Sequence, residues 1–422
     1  MAADVDLTRR IKDYARAAGF DAVGVARAAP FPEDRRATQE RIAAGHYSGL
    51  PWFTAERAAF SSDPRNLLPT ARSIISLAMS YRPEGAPPAE EPGSPRGRVS
   101  AYAWGRDYHT VLKERMERVV AYIRASRGQE QQARTLVDTA RILDRAAARR
   151  AGVGWVGKHT NVITKAAGSW VFLGEILTEL ELVHDEPLRT NCGSCDLCLR
   201  ACPTGAIVAP YVVESDRCIS YLTIEHRGVI PRALRPLMGQ WIFGCDVCQE
   251  VCPPNRRPGA PAHPQFRPVE PAGTAPAPGE PAETAGVLPA PVETVQIVQA
   301  EAHDRDSDDP SLAAPELIPL LDITQEEFTR RFGKTPVKRA KREGLQRNVA
   351  IALGNSGDRA AIPALARALR AAAPVVRAHA AWALGRLGGP DAARALRAAS
   401  AIEADDTVRE EIEAALGESS AL

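Results

Sequence analysis

The chain carries no segment that a membrane or a secretion route would use. Its longest strongly apolar run, SIISLAM at 73–79, is strand length and far too short to span a bilayer. The N-terminus, MAADVDLTRRIKDYARAAGF, sets charges among apolar residues at helical spacing and lacks a continuous apolar core, so it does not read as a signal peptide. Cysteine is scarce, eight in 422 residues, and seven of the eight sit in two short runs. Net charge is nearly absent at +1, so the mean charge says nothing about partners. These absences predict a cytoplasmic, reducing location, where clustered cysteines serve metals more often than disulfides.

With 45% hydrophobic and 25% charged residues the composition is that of a globular protein, long enough for two to four domains at about 150 residues each. The small net charge conceals an asymmetry. Arg330 to Arg347 holds eight Lys/Arg and one acid, Glu343, whereas Glu270 to Asp309 holds nine acids and one base, Arg305.

The first half mixes strand-like runs, SIISLAMSY (73–81) and TLVDT (135–139), with amphipathic helices. In YHTVLKERMERVVAYIRAS (108–126), Val111, Leu112, Met116, Val119, Val120 and Ile123 form one helical stripe. This alternation predicts a layered α/β (or α+β) domain over residues 1–185, followed by a cysteine-rich, ferredoxin-like domain over 186–257. Residues 258–315 are dense in Pro, Ala, Gly and acids and read as a linker. The remainder, 316–422, is repetitive: Ala-Leu-Gly recurs at 352–354, 383–385 and 415–417. Helix, glycine break and helix at such a period predict a short α-solenoid resembling HEAT repeats.

Cys192-x2-Cys195-x2-Cys198-x3-Cys202-Pro203 is the run that wraps a [4Fe–4S] cube, its fourth cysteine serving the other cluster of a pair. The second half offers Cys218 and then Cys245-x2-Cys248-x3-Cys252-Pro253. The same logic assigns Cys192, Cys195, Cys198 and Cys252 to one cluster, and Cys202, Cys218, Cys245 and Cys248 to the other. Two four-cysteine zinc sites are the competing interpretation, but neither the third closely spaced cysteine nor the two Cys-Pro endings serves them. A bare ferredoxin would end near the second Cys-Pro; the flanking regions point to clusters that supply an active site.

The segment DTARILDRAAARRAGVGWVGKHTN (138–161) is the candidate for that site. Asp138 stands where a strand gives way to a helix and is expected, at the least, to cap it. Gly-rich turns with Trp155 and Trp170 suit a backbone lying close to a flat ligand. Gly152, Gly154 and Gly157 spell GxGxxG, but the motif follows a predicted helix rather than a strand, the wrong context for a dinucleotide. The Lys158-His159 pair reads as surface.

The stretches YAWGRDYH (102–109), LVDTA (136–140), AGVGWVGKHTN (151–161), AGSWVFLGEILT (167–178), CGSCDLCLRACPTGAIVAPYVVESDRCISYLTIEHRG (192–228) and FGCDVCQEVCPPN (243–255) resemble the epoxyqueuosine reductases, the enzymes of the last step of queuosine synthesis on tRNA. The resemblance spans 1–257 and resumes near 316. It implies a base-off cobalamin on the N-terminal domain, two [4Fe–4S] clusters beside it, and a HEAT-like module that helps hold the tRNA. It places Asp138 at the proposed proton donor. It also implies cobalamin contacts at Arg57, Tyr102, Asp138, Asn161, Val162, Ser169, Trp170, Ser220, Gly244 and Asp246. Contacts to the tRNA anticodon stem-loop are expected from His226, Arg227, Lys338, Lys341, Arg342 and Arg347, with Lys334 and Arg339 adding to the basic stretch. Arg141 stands where the family often has proline, and 258–315 is longer and more acidic than the family's connection. Asp107-x-His109 is similar to a lower-ligand histidine signature, but Leu112 occupies its glycine position, so His109 is not assigned to cobalt.

Turning an epoxide into an alkene with loss of water takes two electrons and two protons. The electrons are expected from an external low-potential donor by way of the clusters, and the proton from an acid with a raised pKa. A corrinoid reductive dehalogenase acting on a small organohalide is a second reading, although its usual twin-arginine signal is missing here. A non-catalytic electron carrier or HEAT adaptor is a third, and it leaves the Gly/Trp-rich segment without a purpose.

Overall fold

The computed structural model describes residues 4–83, 92–127, 132–257, 259–268 and 312–419. The acidic stretch 270–309 lies outside the described residues.

The run at 73–81 forms the strand Ser73–Ser80, buried along its whole length because it is central and covered on both faces. Ala22–Arg27 pairs with one of its edges and Val171–Thr178 with the other, and Ala133–Leu136 adds beyond Val171–Thr178. All three pairings are antiparallel. The layers expected of an α/β domain are therefore present, but the sheet is of the α+β kind. Helices Val5–Ala17 and Tyr108–Arg127 cover one face, and all six residues of the expected stripe are buried there. Burial of each is worth about 1.5–3 kcal/mol. The short alanine-rich helix Asp144–Arg150 covers the other face, where Gly24 allows contact: a Cβ there would stand 2.0 Å from the Ala151 carbonyl oxygen.

In the cysteine-rich segment each CxxC run opens a short helix, Leu197–Ala201 and Val247–Glu250, and the cysteines that follow, Cys202 and Cys252, are turned into extended backbone before their prolines. Strand Trp241–Phe243 runs parallel to Arg98–Val99, so this segment is stitched into the first half.

The C-terminal helices Lys341–Ser356, Ile362–Ala368, Pro374–Leu387, Pro390–Ser400 and Asp406–Ser419 form the repeats. The Ala-Leu-Gly glycines do not break them. Gly354, Gly385 and Gly417 lie inside helices, and the turns fall at Gly357, Gly388 and Gly389, which hold positive φ of 71°, 62° and 89°. Gly354 instead lets two helices touch: a Cβ there would be 2.9 Å from Trp382.

The repeats share one apolar core with the cysteine-rich segment. A polar seam fastens the two. Arg235, fully buried, grips both Glu411 oxygens at 2.9 and 2.5 Å, and Arg232 pairs with the same carboxylate. His379 Nε2 accepts from the Ile230 N–H at 3.1 Å.

The expected linker is anchored at both ends. Phe266 packs against Phe172, and His263 Nε2 stands 2.9 Å from Asp21. Leu312 is buried, and the Gly97 and Val99 N–H groups donate to Pro315 and Ala313. Residues 259–268 and 312–315 thus belong to the folded body.

Candidate active site and cysteine centres

Asp138 caps no helix. The strand ends at Leu136, the next helix starts at Asp144 with Leu143 at its cap, and Asp138 sits between them at φ 35°. Few non-glycine residues adopt this left-handed conformation; aspartate is among the more tolerant. The polar pattern after a strand suggested a cap, but the turn takes five further residues before the helix can begin. Arg141 lies in the turn, its guanidinium 4.1 Å over the Phe60 ring.

The turn presents the Asp138 carboxylate to the start of the Tyr108–Arg127 helix. Tyr108 donates its hydroxyl to Oδ2, and His109 Nε2 is 3.4 Å from the same oxygen. His109 Nδ1 lies 2.8 Å from Asp107 Oδ1, whose other oxygen pairs with Lys338 at 2.8 Å. Arg339 reaches Glu225 at 2.6 Å and Asp138 at 3.6 Å. Tyr108 is locked by stacking on Phe172 at 4.4 Å. Burial acts to raise the Asp138 carboxyl, but His109, Tyr108 and Arg339 together outweigh it and hold it below the usual carboxylate range. The expected raised pKa is therefore not found at Asp138. The elevated group is its neighbour: Asp107, then Asp138, push His109 up to about 9. The fragment YAWGRDYH was legible as a family signature, but its closure onto residue 138 is a long-range contact that spacing does not reveal.

The eight thiols fall into two neighbourhoods. Cys252 is pushed up to about 12 by burial and then by Cys192, Cys198 and Cys195. Burial, then Cys192 and, more weakly, Cys195, raises Cys198. Burial also raises Cys218, with Cys202 beside it, and Cys245, with Cys218 and Cys202 beside it. Cys248 is raised well up by burial, then by Cys245 and Cys218, and more weakly by Cys198 across the gap between groups. Thiols that repel one another's charge in this way suit a site filled by cations. Among the described residues no three His, Cys, Asp or Glu side chains gather around a single-ion site.

The second neighbourhood adjoins the residues expected at a corrinoid. Asp246 is buried and spent on Ser100 Oγ at 2.5 Å and the Ala101 N–H at 2.7 Å, with burial lifting its carboxyl to about 6. Ser169 is spent as well: it donates to Gln249 at 2.9 Å and accepts from Asn255 at 2.8 Å. Trp170 is a core residue packed edge-on to Tyr81. These three therefore brace the site rather than offer free side chains. Tyr102 stands edge-on to Tyr108 at 6.2 Å, and the Gly244 N–H donates to Thr223 Oγ1 at φ 68°. Ser220 lies in the Ile219–Ile224 helix and Arg57 in Ala55–Ser61, both half-buried. Asn161 and Val162 lie at the second strand of the hairpin Gly154–Val156/Val162–Thr164. GxGxxG thus follows a helix, as expected, and opens a hairpin.

His159 in that hairpin is buried, not on the surface, and burial pushes it down to about 4. Its Nε2 and the Trp155 Nε1 have no hydrogen-bond partner among the described residues. Lys158 reaches the Gly193 carbonyl in the first cysteine run at 2.8 Å.

Of the expected RNA contacts, Arg347 is ruled out. It is 1% exposed, donates to Leu222, His226 and Gly228 carbonyls at 2.7–3.1 Å, and is pushed down to about 9 by burial. Arg227 is tied to the Ala340 and Arg339 carbonyls, and His226 to Val229 at 3.2 Å. Lys338 and Arg339 belong to the carboxylate site. Lys341 remains exposed, at φ 60°, and Arg342 is half-buried beside Glu343.

Residues 62–139 match the family profile described as epoxyqueuosine reductase QueG, residues 191–255 a 4Fe-4S double cluster binding domain, and residues 338–417 HEAT repeats. The chain is 33% identical to the epoxyqueuosine reductase of Bacillus subtilis (strain 168) over 412 residues, 96% of this chain and 94% of that one. It is 35% identical to that of Pseudomonas aeruginosa over 388 residues, 90% and 95% of the two chains. A crystal structure of an epoxyqueuosine reductase with a tRNA-Tyr epoxyqueuosine-modified stem loop superposes with a TM-score of 0.84 at 31% identity, covering 98% of this chain and 99% of that one. A Bacillus subtilis structure whose catalytic aspartate loop is swung out of the active site superposes with a TM-score of 0.82, also at 31% identity and with the same coverage.

Proposed function

This chain belongs to the epoxyqueuosine reductase family, and from that premise we propose that it reduces epoxyqueuosine in the anticodon loop of tRNA to queuosine. The observation that carries the reading is the Asp138 carboxylate, presented by a left-handed turn beside Tyr108 and near Tyr102, a residue that would border a corrinoid and that also feels Asp246, the neighbour of Cys245. The reaction replaces two carbon–oxygen bonds by a double bond and releases water, consuming two electrons and two protons. The double-cluster match favours iron over zinc at the cysteines. The assignment of Cys192, Cys195, Cys198 and Cys252 to one cluster, and of Cys202, Cys218, Cys245 and Cys248 to the other, is supported by the two neighbourhoods of thiols.

The residues present suit cobalamin. The orphaned Trp155 and His159 nitrogens mark polar edges without partners among the described residues. Tyr102, Asn161, Val162, Ser220 and Gly244 would hold the group, Arg57 would stand at its margin, and Ser169, Trp170 and Asp246 would brace that shell. Cobalamin, when bound, supplies a cobalt centre able to hold reducing equivalents and contact carbon. The protein's own part is to present the substrate to Asp138, exclude water, and move a proton to the departing oxygen, without which the leaving group would be an alkoxide.

The tRNA-bound relative supports an RNA substrate, with Lys341 and Arg342 proposed at its phosphates. Anaerobic incubation of the reconstituted, cobalamin-loaded protein with reductant and an epoxyqueuosine-bearing stem loop tests this. Nucleoside analysis should show queuosine; unchanged epoxyqueuosine with fully loaded, reduced protein would overturn the reading.

A further inference from the structure

The reaction needs two protons, and one carboxyl holds at most one. We propose that His109 is the proton store of the site, passing its Nε2 proton to Asp138 Oδ2, so that Asp138 acts as the conduit through which both protons reach the departing oxygen. This rests on the function proposed above.

The geometry of three consecutive residues carries it. The imidazole is held at Nδ1, 2.8 Å from Asp107 Oδ1, while its buried Nε2, which makes no hydrogen bond among the described residues, faces Asp138 Oδ2 at 3.4 Å. The same Asp107 oxygen accepts the His109 N–H at 3.1 Å, which pins the ring's own backbone. Stacking on Tyr108 at 4.2 Å fixes the ring plane. The charged and titratable groups facing this centre are Asp107 and Tyr108 from the helix start, Asp138 from the turn, and Lys338 and Arg339 from the segment before the repeats. Glu225 stands behind Arg339.

The charge states fit the direction of transfer. Asp138 is held ionised by its neighbours and cannot arrive as an acid, whereas His109, pushed up to about 9, arrives protonated at neutral pH. As negative charge develops on the epoxide oxygen, Asp138 relays the His109 proton to it, leaving neutral imidazole with its Nδ1–H on Asp107. Nε2 itself is buried, so a solvent proton returns to it by way of the Asp138 carboxylate, whose side chain is 43% exposed, and a second passage completes water. Each passage breaks one N–H bond and forms one O–H bond; the electrons come from the reductant of the reaction itself.

The test uses His109→Gln, which keeps hydrogen bonding without a titrating charge, and His109→Ala, which leaves room for added imidazole. Both should bind cobalamin and show wild-type cluster spectra. Single-turnover reduction of the stem loop should fall about 10²-fold or more in each. Imidazole should restore much of the loss to His109→Ala and none to His109→Gln. The wild-type rate should decline as pH rises through about 9, where His109 loses its proton, and that limb should vanish from His109→Gln. Without cobalamin or substrate, 15N histidine signals of the wild type should titrate near pH 9, and Asp138→Asn should move that titration lower. An unchanged alkaline limb in His109→Gln, or a His109 resonance titrating near the ordinary 6.5, would overturn the proposal while wild-type turnover kept the function intact. A wild type inactive on the stem loop would instead strike the function, and the histidine titration would still decide the proton store.

Discussion

At the residue scale, the chemistry depends on where carboxyls are spent. Glu175 shows the contrast with Asp138. It lies in the middle of the sheet, fully buried in register with Ser76, and burial followed by the nearby Asp144 raises it well above the ordinary value. The sign follows directly: the folded protein keeps this proton after the unfolded chain releases it near pH 4.5. Stability is therefore fully present below that pH and declines as pH rises, by about 1.4 kcal/mol per pH unit until the folded group ionises. Glu175→Gln should remove this slope, giving a variant whose Tm falls less than the wild type's between pH 4.5 and 7; parallel curves would show that Glu175 is ionised or solvated in the fold. Such placements were only partly readable. The stretch holding Asp138 announced itself, but a strand followed by polar residues looks the same whether a cap or a left-handed turn comes next. The raised group then turned out to be His109, because a carboxylate between a histidine, a tyrosine and an arginine is stabilised as the anion.

At the scale of elements, the stripe of 108–126 gave its helix because six apolar residues at 3.6 spacing have one solution beside a sheet. Strand direction was not legible, since alternation of strands and helices does not say which crossovers lie on which edge. The repeats were legible by period, while the role of their glycines was not. Gly354→Ala should gain about 1 kcal/mol of helix propensity. It should lose more, about 1–3 kcal/mol, because the new methyl meets Trp382 at 2.9 Å and the Ala383 backbone at 3.0 Å. Gly417→Ala, with no atom within 4 Å, should only gain. Thermal melts of both variants check this, and stabilisation by Gly354→Ala would mean the helices stand further apart.

At the scale of the whole molecule, the basic stretch proves to be two things. Lys338, Arg339 and Arg347 tie the repeats to the carboxylate site and the cysteine-rich segment, while Lys341 and Arg342 are left for phosphate. Local charge was visible in the sequence; which of those charges the fold would consume was not, because the carboxylates and backbone carbonyls that take them lie more than 100 residues away. Lys341→Glu with Arg342→Glu should weaken stem-loop binding and lower the slope of log K against log salt by about 0.7–0.9 per lost contact. Lys338 must be left intact in this test, since it pairs with Asp107 behind His109. Equal affinity and slope would move the RNA footprint elsewhere. Reducing equivalents and the protons passed through Asp138 are proposed to meet on one tRNA nucleoside. The measurement that tests this most directly mixes reduced, cobalamin-loaded wild type and Asp138→Asn with the epoxyqueuosine stem loop, anaerobically, and follows queuosine in quenched samples. Asn is nearly isosteric but carries no exchangeable acid, so the variant should keep its cofactors and run about 10²–10⁴-fold slower than wild type. Queuosine forming at the wild-type rate in Asp138→Asn would contradict it.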